Sequence, residues 1–286
     1  MSPTASGADG AEPARSPVSY DLLVCDLDGT LIFESMTLDP ALVEAFRRAA
    51  GRGLAISLAT GRMPAAADRY RDELGVTAPV IYYNGALVRG GNGGPDLLSL
   101  TLPRGLLHRA WAVLSQAPVH PIFYRDDRLY CTALTLPIRQ YCEEEGLRAD
   151  VMDDPGEFLG LGAFVKSLLI GHPRDLDILR AELTPIVAEH GRLVRTRSDY
   201  LEIIPVAASK GAALGRLAVH LGVPLERVVT VGDQENDVEM LRDAGLGIAM
   251  PDAPEPVRRA ADRVAPTPAD GGLLRLLGEL FPGRFD

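Results

Sequence analysis

The densest chemistry in this chain lies in six residues, Asp26-Leu27-Asp28-Gly29-Thr30-Leu31, directly after the short run Asp-Leu-Leu-Val-Cys at 21–25. Two carboxylates two positions apart, both leaving the end of a strand, can divide labour. One can attack as a nucleophile while the other donates and removes protons. Gly29 lets the backbone turn and come close to a phosphate, and Thr30 adds a hydroxyl and a backbone N–H. A bare Asp-x-Asp would read as an ordinary acidic turn. The full six residues behind an apolar run point to a functional loop.

A second acidic segment, Gly232-Asp233-Gln234-Glu235-Asn236-Asp237, also follows an apolar run. Asp233 and Asp237 are one helical turn apart and can face one site. Clustered carboxylates repel one another unless a cation sits among them. Magnesium takes hard oxygen ligands and keeps several waters, so two or three carboxylates and a phosphate satisfy it. The same residues also read as a helix start, where the dipole favours acids. Thr60 ends a strand-like run and can hydrogen-bond a phosphate oxygen; a threonine before glycine can equally end a strand. Lys210 opens a helix, where the dipole disfavours a cation. A lone lysine is usually a solvated charge, but a local rule broken in this way marks a candidate site.

Elements that hold loops in this way are legible along the chain. The runs at 21–25, 54–59 and 79–83 are apolar, and each ends in polar residues. Asp39-Pro40 caps a helix between the first two, with Leu42, Ala45, Phe46 and Ala49 at helical spacing and Gly51 and Gly53 as its stop. Strand, helix and strand in alternation imply an α/β fold, a parallel sheet flanked by helices. Ligands of such folds sit beyond the carboxyl ends of the strands. From Leu87 to Pro205 the pattern changes. The turn at 90–95 is glycine-rich, and short strands at 122–124, 165–170 and 200–204 are separated by helical patterns such as 173–190. This predicts a separate inserted α+β domain, 87–205, between two core segments, 20–86 and 206–286. Ser209 then caps a helix with Leu214, Leu217, Ala218 and Leu221 on its apolar face, and buried strands are predicted at 227–231 and 246–250.

Composition bounds the partners. The 286 residues are 47% hydrophobic and 24% charged, as in ordinary globular proteins, and the formal net charge is −10 with no extended basic run. Nucleic acid and anionic membranes both need a positive surface, so neither is expected as a partner. A small anionic substrate is still allowed, because a few local cations and a metal override the global field. Three cysteines, Cys25, Cys131 and Cys142, give an odd count without metal-ligand spacing. They predict a reducing, cytoplasmic compartment and no disulfides. Residues 1–19, rich in Ala, Ser, Pro and Gly, are expected to form a disordered tail rather than a signal peptide. The five histidines have no ligand spacing.

Taken together, Asp26–Leu31, Ala59-Thr60-Gly61-Arg62, Asn84-Gly85-Ala86, Ser209-Lys210-Gly211 and Gly232–Met240 resemble, in order, the motifs of the haloacid dehalogenase superfamily. Within it, the chain is most similar to the Cof-like type IIB phosphatases. The resemblance runs from Tyr20 to the C-terminus. It implies a Rossmann-like core with an α/β cap, and an Mg2+-dependent phosphatase acting on a small phosphorylated metabolite such as a sugar phosphate. Asp26 would be the nucleophile and Asp28 the general acid/base, with Thr60 and Lys210 holding the transferring phosphoryl group. Asp26, Asp28 (through its backbone carbonyl), Asp233 and Asp237 would hold Mg2+, and Gly61, Arg62, Asn84, Gly85 and Asn236 would line the substrate side. One departure stands out. Ala249-Met250-Pro251-Asp252-Ala253 replaces the family's Ala-Met-Gly-Asn-Ala, which puts an acid where an amide is usual.

The cap is expected to choose the leaving group. Candidates for that contact are Tyr124, Arg125, Lys166, Arg195, Arg197 and Tyr200, while Trp111 reads as cap core. A phosphomutase or a non-catalytic phosphometabolite sensor would use the same pocket. The intact pair Asp26 and Asp28, with Lys210 and Asp233, speaks against the sensor.

Overall fold

The structure, a computed structural model, describes residues 19–33, 35–267 and 272–285. The expected disordered tail lies outside them apart from Ser19. The first strand, β1 (Leu22–Cys25), is buried along its whole length. Continuous apolar residues without alternation are what a strand covered on both faces needs. Helix α1 (Pro40–Gly51) starts at Asp39, whose carboxylate accepts the Ala41 N–H at 2.8 Å, with Pro40 in the first turn. Its buried stripe is Leu42, Ala45, Phe46 and Ala49, as the spacing predicts. Strand β2 (Ala55–Leu58), helix α2 (Pro64–Leu74) and strand β3 (Val80–Tyr82) complete the first stretch.

Next come β4 (Leu87–Arg89) and β5 (Asp96–Ser99), which run antiparallel beside β3. Residues 87–99 were expected inside the insertion, and here they are paired to a core strand instead. Their apolar side chains explain the placement: Val88, Leu97 and Leu98 pack in one cluster with Leu214 and Leu217 of the core. The glycine-rich turn between them is a hairpin connection, not a domain boundary.

The insertion then builds α3 (Leu106–Leu114), β6 (His120–Arg125), β7 (Arg128–Cys131), α4 (Leu136–Glu145), β8 (Ala149–Val151), α5 (Pro155–Leu161), β9 (Lys166–Ile170), α6 (Pro173–Val187), β10 (Gly191–Arg197) and β11 (Tyr200–Pro205). Its strands form one sheet in the order β10-β11-β9-β6-β7-β8, antiparallel except where β7 meets β8. Alternation sorts the side chains. Phe123, Leu169, Leu201 and Ile203 face the insertion's own helices and share a cluster with Leu107, Leu179 and Leu183, and Trp111 lies at its rim against Phe123. Ile122, Tyr124, Leu168 and Ile204 point the other way and are continuous with core residues including Tyr83.

The chain returns through α7 (Lys210–Leu221), β12 (Val228–Gly232), α8 (Val238–Asp243), β13 (Leu246–Ala249), α9 (Glu255–Ala260), β14 (Arg263–Val264) and α10 (Gly272–Leu280). The core sheet has the order β14-β13-β12-β1-β2, all parallel. A parallel bridge between Ala59 and Ile81 brings β3 alongside β2. Strand β1 is therefore central, with β2 on one side and β12 on the other. The sequence order reverses there, and the crevice at the carboxyl end of such a switch point is where α/β sheets bind ligands. No helix among the described residues is long and apolar enough to cross a membrane.

Candidate active site

Asp26 is the first residue past β1, and its N–H donates to Val231 O of β12. That hydrogen bond continues the sheet and fixes the direction of its side chain. Lys210 is carried in by α7, whose N-cap Ser209 accepts the Ala212 N–H at 3.0 Å. The Lys210 Nζ donates to Asp26 Oδ1 and to Asp237 Oδ1, each at 2.6 Å, and its side chain is fully buried. The ammonium at an unfavourable helix end thus has two carboxylate partners. Burial works against its charge, but Asp237 and Asp26 outweigh that and raise its pKa.

The second acidic loop wraps around these residues. Asp237 Oδ2 accepts the N–H groups of Asp233 and Gln234, at 2.9 and 3.0 Å. Both Asp237 oxygens are thereby engaged, which suits a residue that shapes the loop. Asp233 receives Thr30 Oγ1 at 3.0 Å and Gln234 Nε2 at 2.9 Å. Gly29 sits at φ +84, and a Cβ there would lie 2.3 Å from Asp233 Oδ2, so glycine is what allows the two acidic loops to meet.

Asp26, Asp233 and Asp237 present oxygens within 4.8 Å of one another, all buried. Burial pushes the Asp26 carboxyl well above the usual carboxylate range; Lys210 pulls it down, and Asp237, Asp233 and Asp28 push it further up. Burial and then Asp237 raise Asp233, against hydrogen bonds from Gln234 and Thr30. A cluster of hard oxygen donors with more negative charge than its one lysine neutralises is a fitting site for a small divalent cation.

The other predicted residues surround this cluster. Asp28 points to the neighbouring wall, where Arg62 grips it with two hydrogen bonds of 2.8 and 2.6 Å. Arg62 also pairs with Glu145 at the end of α4. Thr60 is fully buried, and its hydroxyl accepts the Arg62 N–H at 3.0 Å. Asn84, at φ 55, accepts from Asn236 Nδ2 through its Oδ1 at 2.9 Å. Gly61 packs against Asn84, and Gly85 against the Ser209 backbone. A cavity of about 310 Å3 opens over Asp26, Asp28, Gly61, Arg62, Asp233 and Asn236. Thr60, Asn84, Gly85, Asp237 and Lys210 lie behind its walls.

The inserted domain closes the cavity with Tyr141, Glu144 and Glu145 of α4 and with Lys166, Thr196, Arg197, Tyr200 and Glu202 of its sheet. Three of the expected cap candidates are among them: Lys166, Arg197 and Tyr200. Three are elsewhere. Tyr124 is buried behind the wall with its hydroxyl 2.7 Å from that of Tyr141. Arg125 pairs with Asp126 and Arg195 with Asp177, both away from the cavity. Asp252 is exposed and takes no part in the lining. Sequence reasoning passed over Tyr141, Glu145 and Glu202. Two signals could have marked the acids. Glu143-Glu144-Glu145 crowds the C-terminal turn of a helix, where acids oppose the dipole, and Glu202 interrupts an otherwise apolar strand.

The fold and this site together define an α/β protein whose acidic cluster lies at the carboxyl edge of a parallel sheet beneath an inserted domain. A family model for haloacid dehalogenase-like hydrolases matches residues 23–277, and the chain belongs to that family. That family is one of hydrolases, and the curated relatives that the chain matches include phosphatases. It is 28% identical to a 5-amino-6-(5-phospho-D-ribitylamino)uracil phosphatase of Bacillus subtilis, over 91% of this chain and 97% of that one. A solved structure from Thermotoga maritima is 30% identical and superposes with a TM-score of 0.80, covering 91% of this chain and 97% of that one. A subclass IIB sugar phosphatase, 21% identical, shares the fold with a TM-score of 0.77 over 91% of this chain and 98% of its own.

Proposed function

We propose that this phosphatase is Mg2+-dependent, acts on a small phosphorylated metabolite such as a sugar phosphate, and works through an aspartyl-phosphate on Asp26. The observation that carries the reading is the buried Asp26 carboxylate, held 2.6 Å from Lys210 Nζ at the floor of a cavity that Asp28 and Asp233 share. A nucleophile so fixed has its entropy of positioning already lost before substrate arrives. Asp26 attacks phosphorus, the bond to the leaving oxygen breaks, and Asp28 gives that oxygen its proton. Asp28 then takes a proton from water, the water oxygen attacks the phosphorus on Asp26, and phosphate leaves. Lys210, 2.6 Å from Asp26 behind the cavity wall, supplies positive charge beside the transferring group, and Thr60 holds the Arg62 backbone next to it.

Asp26 and Asp233, with the Asp28 backbone carbonyl, are the residues that would hold Mg2+, and Asp237 keeps Lys210 and the Asp233 loop in place behind them. The ion supplies charge neutralisation between an attacking carboxylate and a phosphate dianion. The small-metabolite reading rests on the cavity's size and on the named phosphorylated substrate of the Bacillus subtilis relative. Buried free thiols at Cys25, Cys131 and Cys142 fit a cytoplasmic setting.

The test is phosphate release from a panel of sugar phosphates, nucleotides and cofactor phosphates, with Mg2+ and with excess chelator. Mg2+-dependent release is expected, with the sugar and polyol phosphates among the best substrates. Equal release in chelator would contradict the metal assignment. Binding of these esters without turnover would favour a sensor.

A further inference from the structure

Two charged residues of the inserted sheet, Lys166 on β9 and Glu202 on β11, are almost wholly buried, with side chains 3% and 6% exposed. Alternation directs both toward the core, on the face that carries Leu168 and Ile204. They pair with each other at 2.8 Å. Each also crosses to the core. Lys166 Nζ donates to Gly61 O at 2.9 Å, and Glu202 Oε2 accepts Asn84 Nδ2 at 2.9 Å. Asn84 in turn holds Asn236 of the second acidic loop. The Lys166 ammonium lies 4.7 Å from the centre of the Tyr124 ring, whose face favours a cation. One buried pair thus ties the inserted sheet to the Thr60–Arg62 loop and, through Asn84, to the loop of Asp233.

An ion pair as buried as this loses much of its Coulomb gain to desolvation, so burial alone gives it little reason to exist. Its hydrogen bonds, however, can be made only while the inserted sheet lies against the core. Two ion pairs that join the insertion to the core, Arg192–Glu239 and Arg89–Asp127, are between 28% and 49% exposed, where such pairs contribute little. Arg62–Glu145 also crosses, but Arg62 is shared with Asp28.

We propose that Glu202 is a positioning residue: with Lys166 it latches the cap in its closed position and, in that position alone, orients the Gly61 loop and the Asn84–Asn236 pair around the phosphate site. Its kinetic consequence rests on the phosphatase mechanism proposed above, whereas its structural consequence does not.

The experiment uses the full chain with spin labels on Ile178→Cys and Val219→Cys, which are 62% and 82% exposed on the cap and core sides. The native cysteines are buried. Pulsed dipolar spectroscopy reads the distance between labels with saturating inorganic phosphate and Mg2+. The Glu202→Gln change keeps the size and an acceptor but removes the charge. It is expected to broaden the distance distribution and lower kcat/KM at least about tenfold. A distribution as narrow as that of the parent would overturn the latch, whatever the kinetics. Should Glu202→Gln leave the Lys166 charge too poorly matched for folding, Glu202→Leu with Lys166→Met removes both charges together. That pair is expected to fold with a broad distribution, and a narrow one would overturn the proposal. If the parent chain itself shows no turnover of any ester, the mechanism above fails while the distance result still decides the latch.

Discussion

Asp26 and Asp233 carry negative charge into a region where Lys210 is the ammonium that reaches the cluster, and their pKa values are raised accordingly. A raised carboxyl binds more protons in the folded chain than in the unfolded one, whose carboxyls titrate near about 4. Without a cation, the stabilisation from these protons is complete below the unfolded value and is lost as pH rises through the folded values. A divalent cation competes with the same protons, so its stabilising effect must run the other way. The Tm gain from Mg2+ is expected to be larger at about pH 7.5 than at about pH 5, as calorimetry would show. Equal gains at both would place the ion away from these carboxylates. The same reasoning applies to Asp26→Asn. Turnover is expected to fall on the order of 10^4-fold or more. The cation-free Tm is expected to stay close to that of the parent, since the amide keeps the side chain's shape and an acceptor for Lys210 while removing one of several crowded negative charges. A large drop in that Tm would mean that the charge of Asp26 is needed for folding.

At the scale of elements, a helix and two loops fix the site. Helix α7 delivers Lys210 between two carboxylates, so Lys210→Ala removes both a positive charge beside the proposed nucleophile and the partner of two buried acids. Loss of about 10^2–10^3 in kcat and of roughly 3–5 kcal/mol in stability is expected from rate assays and chemical denaturation. Parent-like values would return Lys210 to a spectator's role. Gly85 sits at φ +92, and a Cβ there would lie 2.1 Å from Ser209 O, at the start of the same helix. Gly85→Ala is therefore expected to cost roughly 1–3 kcal/mol and to weaken turnover by shifting Lys210. Unchanged stability would mean that the turn and helix can separate freely.

These elements were legible from the sequence because each announces itself locally. The β1 run, the Asp39 and Ser209 caps and the misplaced Lys210 all break or obey a short-range rule. The hairpin at 87–99 was not legible: its glycine-rich turn resembles a linker, and only packing of Leu97 and Leu98 near Leu214 shows which domain holds it. Glu145 and Glu202 were missed for a related reason, since their partners Arg62 and Asn84 are far away in sequence.

At the scale of the whole molecule, cap and core share one apolar interior on the face that carries Ile122, Tyr124 and Leu168. Trp111 is the single tryptophan and lies in the cap. Its fluorescence and the far-UV circular dichroism are expected to report one coincident unfolding transition. Separated transitions would show that the cap unfolds as an independent unit. The central claim is that phosphate passes through Asp26, and Asp28→Asn should expose it by slowing the second step, which needs Asp28 as base. The decisive measurement is mass spectrometry of that variant, quenched in acid after a single turnover with Mg2+ and a good phosphate ester. A phosphate on the peptide holding Asp26 is the expected result. Turnover by the parent enzyme with no phosphate trapped on Asp26 in the variant, or phosphate found on another residue, would contradict the account.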